Sequence, residues 1–131
     1  MILDVLLKYP LLITDYNIIR YRTFGLLYEL VAEISFTDNS TLYVRDYLFS
    51  DCKRKYSFHW QDVAGNCRIR WDNVPHHQDA ESFPFHKHVG KLEIVANSEV
   101  MNLEKIIRFI NKQLNPPHRH KSDSGSKANK Q

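Results

Sequence analysis

Histidine is concentrated in one part of this 131-residue chain. Five of the seven histidines stand within one 30-residue stretch: His59, His76, His77, His86 and His88. An imidazole titrates close to neutral pH and can take up or release protons. Because four of these residues fall within thirteen positions, with Lys87 among them, we interpret the cluster as a site for chemistry rather than as loop packing.

Two predicted strands, 55–60 and 67–72, place part of this cluster on a polar face. Period-two alternation sends one set of side chains to a face that can form a core: Tyr56, Phe58, Trp60, Cys67, Ile69 and Trp71. The opposite face carries Lys55, Ser57, His59, Arg68, Arg70 and Asp72. Arginine can bind phosphate in bidentate geometry. The alternative for this face is a solvated surface with charge balance between Arg70 and Asp72, and the hairpin alone does not decide between them.

Cleavage of RNA is one chemistry that these side chains could perform. A base takes the proton of a ribose 2′-hydroxyl, an acid protonates the leaving 5′-oxygen, and cations stabilise the charged phosphorane. The candidate catalytic residues are His59, Arg70, His76, His77, His86 and His88. The candidate RNA-binding residues are Lys55, Arg68 and Lys87, with Tyr43 and Tyr47 stacking on bases. This chemistry needs no metal or other cofactor.

A metal site is the second chemistry. The pairs His76-His77 and His86-x-His88 supply imidazoles that suit zinc, nickel or copper, and Asp72 or Asp79 could add an oxygen ligand. The spacing does not match two CxxC pairs or HExxH. We therefore expect no cofactor and keep a His-ligated metal protein as an alternative.

The elements that must position these residues are strands. Alternation broken by turn residues runs from Tyr16 to Trp71, which indicates antiparallel strands with turns at 37–40 and 62–66. A weaker strand is predicted at 18–22 and another at 91–95. Between the strand 67–72 and the strand 91–95, Pro75 and Pro84 disfavour further strand structure. We therefore expect the histidine-rich segment there to be an ordered loop.

The last predicted element is a helix. Leu103, Ile106, Ile107, Ile110 and Leu114 fall on one helical face. Ser98 is the predicted N-cap, and Pro116 and Pro117 end the helix. The fold class is therefore α+β: an antiparallel β-meander of about five to six strands, with this C-terminal amphipathic helix packed on one face.

The charge distribution divides the chain into a single domain, 1–114, and a disordered basic tail, 115–131. The tail contains four basic residues and one acidic residue, so it carries the whole net charge of +3 and leaves the domain neutral. No stretch approaches the length that spans a bilayer, and the first residues lack the features of a signal peptide. We expect a cytoplasmic protein with two reduced cysteines and no membrane partner.

Three blocks of sequence resemble, in order, the TumE family of small toxin–antitoxin proteins. They are Tyr56–Trp60, Arg70–His77 and Phe83–Val89, within a resemblance that covers roughly Tyr28 to Leu114. The resemblance implies a toxin whose partner is a small DNA-binding antitoxin and whose target is translation or RNA. Phe85 departs from the family pattern, in which a histidine commonly follows the proline, so we expect Phe85 to be a packing residue.

Residues and resemblance together predict the toxin of a type II toxin–antitoxin system, acting on RNA as a metal-independent endoribonuclease through its His/Arg/Lys cluster. The alternative is a module without catalysis that binds RNA or the antitoxin through the basic hairpin face. An antiparallel sheet also leaves edge strands that pair readily, so a homodimer stays open.

Overall fold

The computed structural model describes residues 2–51, 53–73, 86–91 and 94–115. Within these residues, seven strands form one antiparallel sheet in sequential order. They are β1 (Ile13–Phe24), β2 (Leu27–Phe36), β3 (Thr41–Leu48), β4 (Arg54–Gln61), β5 (Cys67–Asp72), β6 (His86–Val89) and β7 (Ile94–Asn97). The helices are α1 (Ile2–Leu7) and α2 (Leu103–Leu114). The predicted α+β meander is confirmed.

Three strands differ from the sequence-based expectation. β1 is twelve residues long rather than five, and β7 begins at Ile94 instead of Lys91. β6 falls where a loop was predicted, since His86–Val89 pairs with β5 on one side and β7 on the other. Sequence analysis missed this strand because histidine and lysine alternate in it, instead of the polar and apolar residues that indicate a half-buried strand. The predicted tail lies outside the described residues, apart from Asn115.

The core lies between one face of the sheet and the two helices. Alternate residues of β2, β3 and β4 are buried on this helix-covered face, among them Ile34, Leu42 and Phe58 at 0% exposure. From α2, Ile106, Ile107 and Ile110 are equally buried. The ring of Phe109 meets those of Trp60 and Trp71 edge-on, with centroids 6.4 and 5.5 Å apart. The predicted apolar helix face is therefore the one that packs on the sheet.

The helices correct two details of the prediction. α1 was not expected, yet Ile2 and Leu6 are buried in the core, and Lys8 Nζ donates to Glu104 Oε2 of α2 at 2.7 Å. The N-cap of α2 is Asn102, whose side chain accepts a hydrogen bond from the backbone N of Lys105. Ser98 was the wrong choice, because it lies four residues before the cap and its Oγ donates to the carbonyl of Glu99.

A buried ion pair joins the sheet to the segment that precedes α2. Arg54 of β4 donates from Nε and Nη2 to the two carboxylate oxygens of Asp46 on β3, both at 2.8 Å. Tyr28 Oη donates to the same carboxylate at 2.9 Å, and Arg54 Nη1 donates to the carbonyl of Met101 at 2.6 Å. Asp46 is only 6% exposed. Its charge is therefore balanced by a bidentate partner, as a buried carboxylate requires.

Candidate functional site

Four side chains form a line across the outer face of the sheet, which is the face opposite α2. Cα pairing aligns Tyr43 of β3 with His59 of β4. The same pairing aligns His59 with Arg70 of β5, and Arg70 with His88 of β6. Directly opposite residues of antiparallel strands share a face and lie about 5 Å apart. We call Tyr43, His59, Arg70 and His88 the transverse row.

Asp72 anchors one end of the transverse row. Its Oδ2 lies 3.5 Å from Nε2 of His88 and 3.6 Å from Nε of Arg70. The side chains of Asp72 and His88 are each 6% exposed, whereas that of Arg70 is 32% exposed. Buried carboxylates are ordinarily found beside cationic or hydrogen-bonding partners. Asp72 therefore lies within ion-pair distance of both neighbours, and the side chain of Arg70 still reaches solvent.

The other end of the row is more open. The rings of Tyr43 and His59 are tilted at 53°, with centroids 6.4 Å apart. Tyr43 is 39% exposed, while Nε2 of His59 is shielded from solvent. A shallow cavity of about 340 Å³ opens beside them, lined by Ile19, Val31, Glu33, Tyr43, Arg45, His59 and Gln61. This end of the row has room for a planar group next to an imidazole.

Arg68 does not lie with Arg70, which corrects the predicted polar face. A register shift between Trp60 and Gln61 pairs Gln61 with Cys67, so Arg68 becomes the extra residue and exchanges faces with Cys67. The guanidinium of Arg68 lies 4.8 Å from the centroid of the Trp60 ring. Its Nη1 donates to Asp38 Oδ2 at 2.6 Å. These contacts tie Arg68 to the helix-covered side of the sheet.

The ion pair between Arg68 and Asp38 also fixes a protonation state. Burial raises the pKa of Asp38, but hydrogen bonds from Ser40 and Arg68 outweigh it and leave that pKa below its ordinary value. The carboxylate therefore stays charged and holds the guanidinium in place. The contacts of Arg68 are those of a structural residue.

Lys87 is also separated from the row. It pairs with Trp71, a core residue, whereas His86 and His88 pair with Asp72 and Arg70. Neighbouring residues of a strand point to opposite faces, so Lys87 lies on the helix-covered side and is half-buried. Its expected place beside the histidines is therefore wrong, because residues 86–89 are a strand rather than a loop.

The other predicted residues are placed in two ways. Lys55 is exposed and pairs with the half-buried Tyr47. This pair is next to the pair of Arg45 and Ser57 on the outer face. His86 occupies the β6 position beside Asp72. His76 and His77 lie outside the described residues. Among the residues that the structure does describe, no group of three or more His, Cys, Asp or Glu side chains could hold a metal ion.

Asn73 lies next to Asp72 and closes the end of the β4–β5 pair, a role that sequence reasoning did not assign. Its Oδ1 accepts a hydrogen bond from the backbone N of Tyr56 at 2.8 Å, and its Nδ2 donates to the carbonyl of Arg54 at 2.6 Å. The side chain thereby extends the β4–β5 pairing one residue beyond Asp72. The available signal was an asparagine directly after a strand, where its amide can replace backbone hydrogen bonds.

Comparison with protein families gives a match to the model described as Toxin TumE over residues 2–114. No curated protein and no solved structure gives a significant match. In the part of the chain that the structure describes, no helix is long and apolar enough to cross a membrane. The family match takes in α1 and β1 as well as the three blocks that carried the resemblance. The chain therefore belongs to the TumE toxin family and is the toxin of a toxin–antitoxin system, with an antitoxin as its partner.

Proposed function

We propose that this toxin cleaves RNA in the cytoplasm as a metal-independent endoribonuclease, with its active site on the outer face of the sheet. The observation that carries the proposal is the direct cross-strand placement of His59 beside Arg70, with Arg70 held by the buried Asp72. An imidazole and a fixed guanidinium on one surface are what attack by a ribose 2′-hydroxyl on its own phosphate requires.

His59 is the proposed base. Its strand neighbour Tyr43 is exposed at the rim of the cavity and offers a ring on which an unpaired base can stack. A nucleotide stacked there brings its ribose toward His59 and its phosphate toward Arg70, in the order in which the transverse row presents them. Tyr47 and Lys55, further along the same face, would contact the neighbouring nucleotide and its phosphate.

His88 is assigned a positioning role in this scheme. Its imidazole is almost fully buried, and its Nε2 faces the carboxylate of Asp72. A group so enclosed holds Asp72, and through it Arg70, more readily than it reaches substrate. The proton for the leaving 5′-oxygen would come from His86 of β6, the cross-strand partner of Asp72, or from His76 or His77. Arg68 and Lys87 do not enter the proposed RNA contacts, because both lie toward the helix-covered side.

RNA cleavage in EDTA tests the proposal. A defined single-stranded RNA incubated with the purified toxin should yield a 2′,3′-cyclic phosphate at the new 3′ end, and a 2′-deoxy substitution at the cleaved position should block the reaction. A His118→Ala/His120→Ala variant of the tail controls for loss of imidazoles as such. RNA that stays intact while cell growth is inhibited would refute cleavage. A reaction that EDTA stops and a divalent cation restores would refute metal independence.

Binding without catalysis is the second candidate function. It is favoured by the burial of His88 and by the ion contact of Arg70, since both would also stabilise a surface that only binds a partner. In that case His59→Ala and Arg70→Ala should weaken RNA or antitoxin binding in parallel with toxicity. Cleavage should then be absent from the wild type as well.

A further inference from the structure

β1 is an edge strand of unusual length and composition. It pairs with β2 along one side, and no other described strand pairs with its second side. Large apolar side chains on β1 and the turn after it are exposed: Tyr16, Ile19, Tyr21, Phe24 and Leu26. Edge strands are ordinarily shortened, covered or protected by lysine and proline, because their unpaired backbone groups accept another strand. β1 contains neither lysine nor proline.

The sequence of β1 is complementary to itself. Its central part, D-Y-N-I (15–18) followed by I-R-Y-R (19–22), can run antiparallel to a second copy about the point between Ile18 and Ile19, inside the other register shift between Ile13 and Asp15. Asp15 then faces Arg22 of the second copy, and Asn17 faces Arg20. Tyr16 and Tyr21 face each other in the same register. Opposite charges, paired aromatics and an amide opposite a guanidinium are all favourable cross-strand pairs.

A bulge makes this register geometrically consistent. Residues opposite one another in an antiparallel pair must share a face, and a regular strand would send Asp15 and Arg22 to opposite faces. In β1 the register shifts between Ile18 and Arg20, so Ile19 is an extra residue. Beyond it the faces are exchanged. Asp15, Asn17, Arg20 and Arg22 pair with Ser35, Glu33, Val31 and Glu29 of β2, and all four therefore lie on the outer face.

The same bulge selects the partner. An unrelated regular strand would lose its register at Ile19, which is why bulges usually protect edges. A second copy carries the same extra residue at the matching point, where the two-fold axis would pass. The charges agree: Arg20 and Arg22 share the single carboxylate of Glu29, at 3.4 and 3.9 Å. Asp15 has a hydrogen bond from the backbone N of Tyr16, and no described basic side chain pairs with it.

We propose that this chain forms a homodimer in which β1 pairs antiparallel with β1 of a second copy, Asp15 opposite Arg22. The two-fold axis is perpendicular to the joined sheet, so the outer faces of both copies look the same way. The two transverse rows therefore lie on one continuous face, to which each copy contributes the seven strands described above. The dimer does not depend on the proposed cleavage of RNA.

A charge exchange tests both the dimer and its register. In analytical ultracentrifugation of the full chain, the wild type should sediment with the mass of two chains. Asp15→Arg and Arg22→Asp should each place two like-charged pairs across the interface and weaken dimerisation roughly tenfold or more. The double variant Asp15→Arg/Arg22→Asp should recover the dimer. Arg108→Asp, on the exposed side of α2, is the control that should change nothing.

A second variant is needed because Arg22 also contacts Glu29 of its own chain, so that changing Arg22 alters more than the interface. Ile19→Lys introduces an ammonium group close to the axis at a position that is 52% exposed in the single chain. It should give a folded monomer, with a circular dichroism spectrum like that of the wild type. A wild type that stays monomeric up to about 100 µM, or a dimer that tolerates both single charge variants, would overturn the proposal.

Discussion

Nε2 of His88 lies 3.5 Å from Oδ2 of Asp72, and the two side chains are each 6% exposed. His88 stands on β6 and Asp72 on β5, so the contact joins side chains of two paired strands. The same carboxylate oxygen lies 3.6 Å from Nε of Arg70. One carboxylate oxygen of Asp72 therefore faces both a buried histidine and a solvent-reaching arginine.

Replacement of Asp72 by asparagine should affect stability and activity together. The variant keeps the shape of the side chain but leaves Arg70 without its carboxylate, so we expect the free energy of unfolding to fall by about 2–3 kcal/mol. RNA cleavage should fall at least about tenfold in kcat, because the guanidinium is no longer held. Urea denaturation and single-turnover cleavage measure the two effects. Glu99→Gln, at a 74% exposed side chain, is the matched control. Unchanged kcat in a folded Asp72→Asn protein would contradict the positioning role.

Replacement of His59 by alanine should remove catalysis and spare binding. A general base contributes roughly 10²–10⁴-fold to the rate, so cleavage should fall by at least about a hundredfold. RNA affinity, measured by fluorescence anisotropy, should change by less than about threefold. A variant that cleaves at the wild-type rate would remove His59 from the mechanism. Loss of RNA binding in parallel with cleavage would favour the second candidate function, binding without catalysis.

Tyr43 should contribute to RNA affinity through its ring. Stacking of one base on an aromatic side chain is worth about 1–3 kcal/mol, so Tyr43→Ala should weaken binding of single-stranded RNA about tenfold. Tyr43→Phe keeps the ring and should bind like the wild type. Titration of a labelled oligonucleotide with each variant provides the comparison. Equal affinity of the alanine and phenylalanine variants would show that no base stacks there.

The pair formed by Asp38 and Arg68 should make the fold sensitive to acid. The folded-state pKa of Asp38 is lowered from the ordinary 3.8, so its stabilisation is complete above that value and is lost as the pH falls through the folded-state pKa. Asp38→Asn should cost about 1 kcal/mol at pH 7. The variant should also lose less stability than the wild type between about pH 5 and pH 2. Thermal unfolding across this range measures the difference, and parallel curves would contradict it.

The buried pair of Asp46 and Arg54 should matter more than any surface pair. Asp46→Asn leaves the guanidinium of Arg54 without its bidentate partner, and we expect a loss of about 3 kcal/mol in the free energy of unfolding. Tyr28→Phe removes a single hydrogen bond to the same carboxylate and should cost about 1 kcal/mol. Urea titration of both variants tests this order. A larger effect of Tyr28→Phe would show that the arginine is not the main partner.

The sequence predicted those elements whose alternation is strict. In β2, β3 and β4, buried apolar residues recur at nearly every second position, with Ile34, Leu42 and Phe58 as examples. In α2, the buried isoleucines recur at helical spacing. The α+β class and the packing of α2 on the sheet follow from these periods alone. The shared face of His59 and Arg70 follows too, whereas their direct pairing required the register that the structure gives.

The differences arise where one extra residue or one tertiary contact changes the local pattern. The bulge near Gln61 turns Arg68 toward Trp60, and strict alternation contains no sign of it. β6 is a strand because β5 and β7 pair with it, although its own residues have weak strand character. Asn102 caps α2 because the chain must first cross from β7, and Ser98 stands too early on that path.

α2 follows every described strand of the sheet in the chain, and its place bears on when this toxin can fold. Its isoleucines close the apolar face of a sheet whose strands are all synthesised earlier, so a nascent chain that ends before Leu103 exposes Phe58, Trp60 and Trp71 to water. Domains generally acquire their fold only when the complete unit has left the ribosome. We therefore expect the outer face that carries His59 and Arg70 to become ordered only after α2 has emerged, so a chain truncated before Leu103 should lack toxicity.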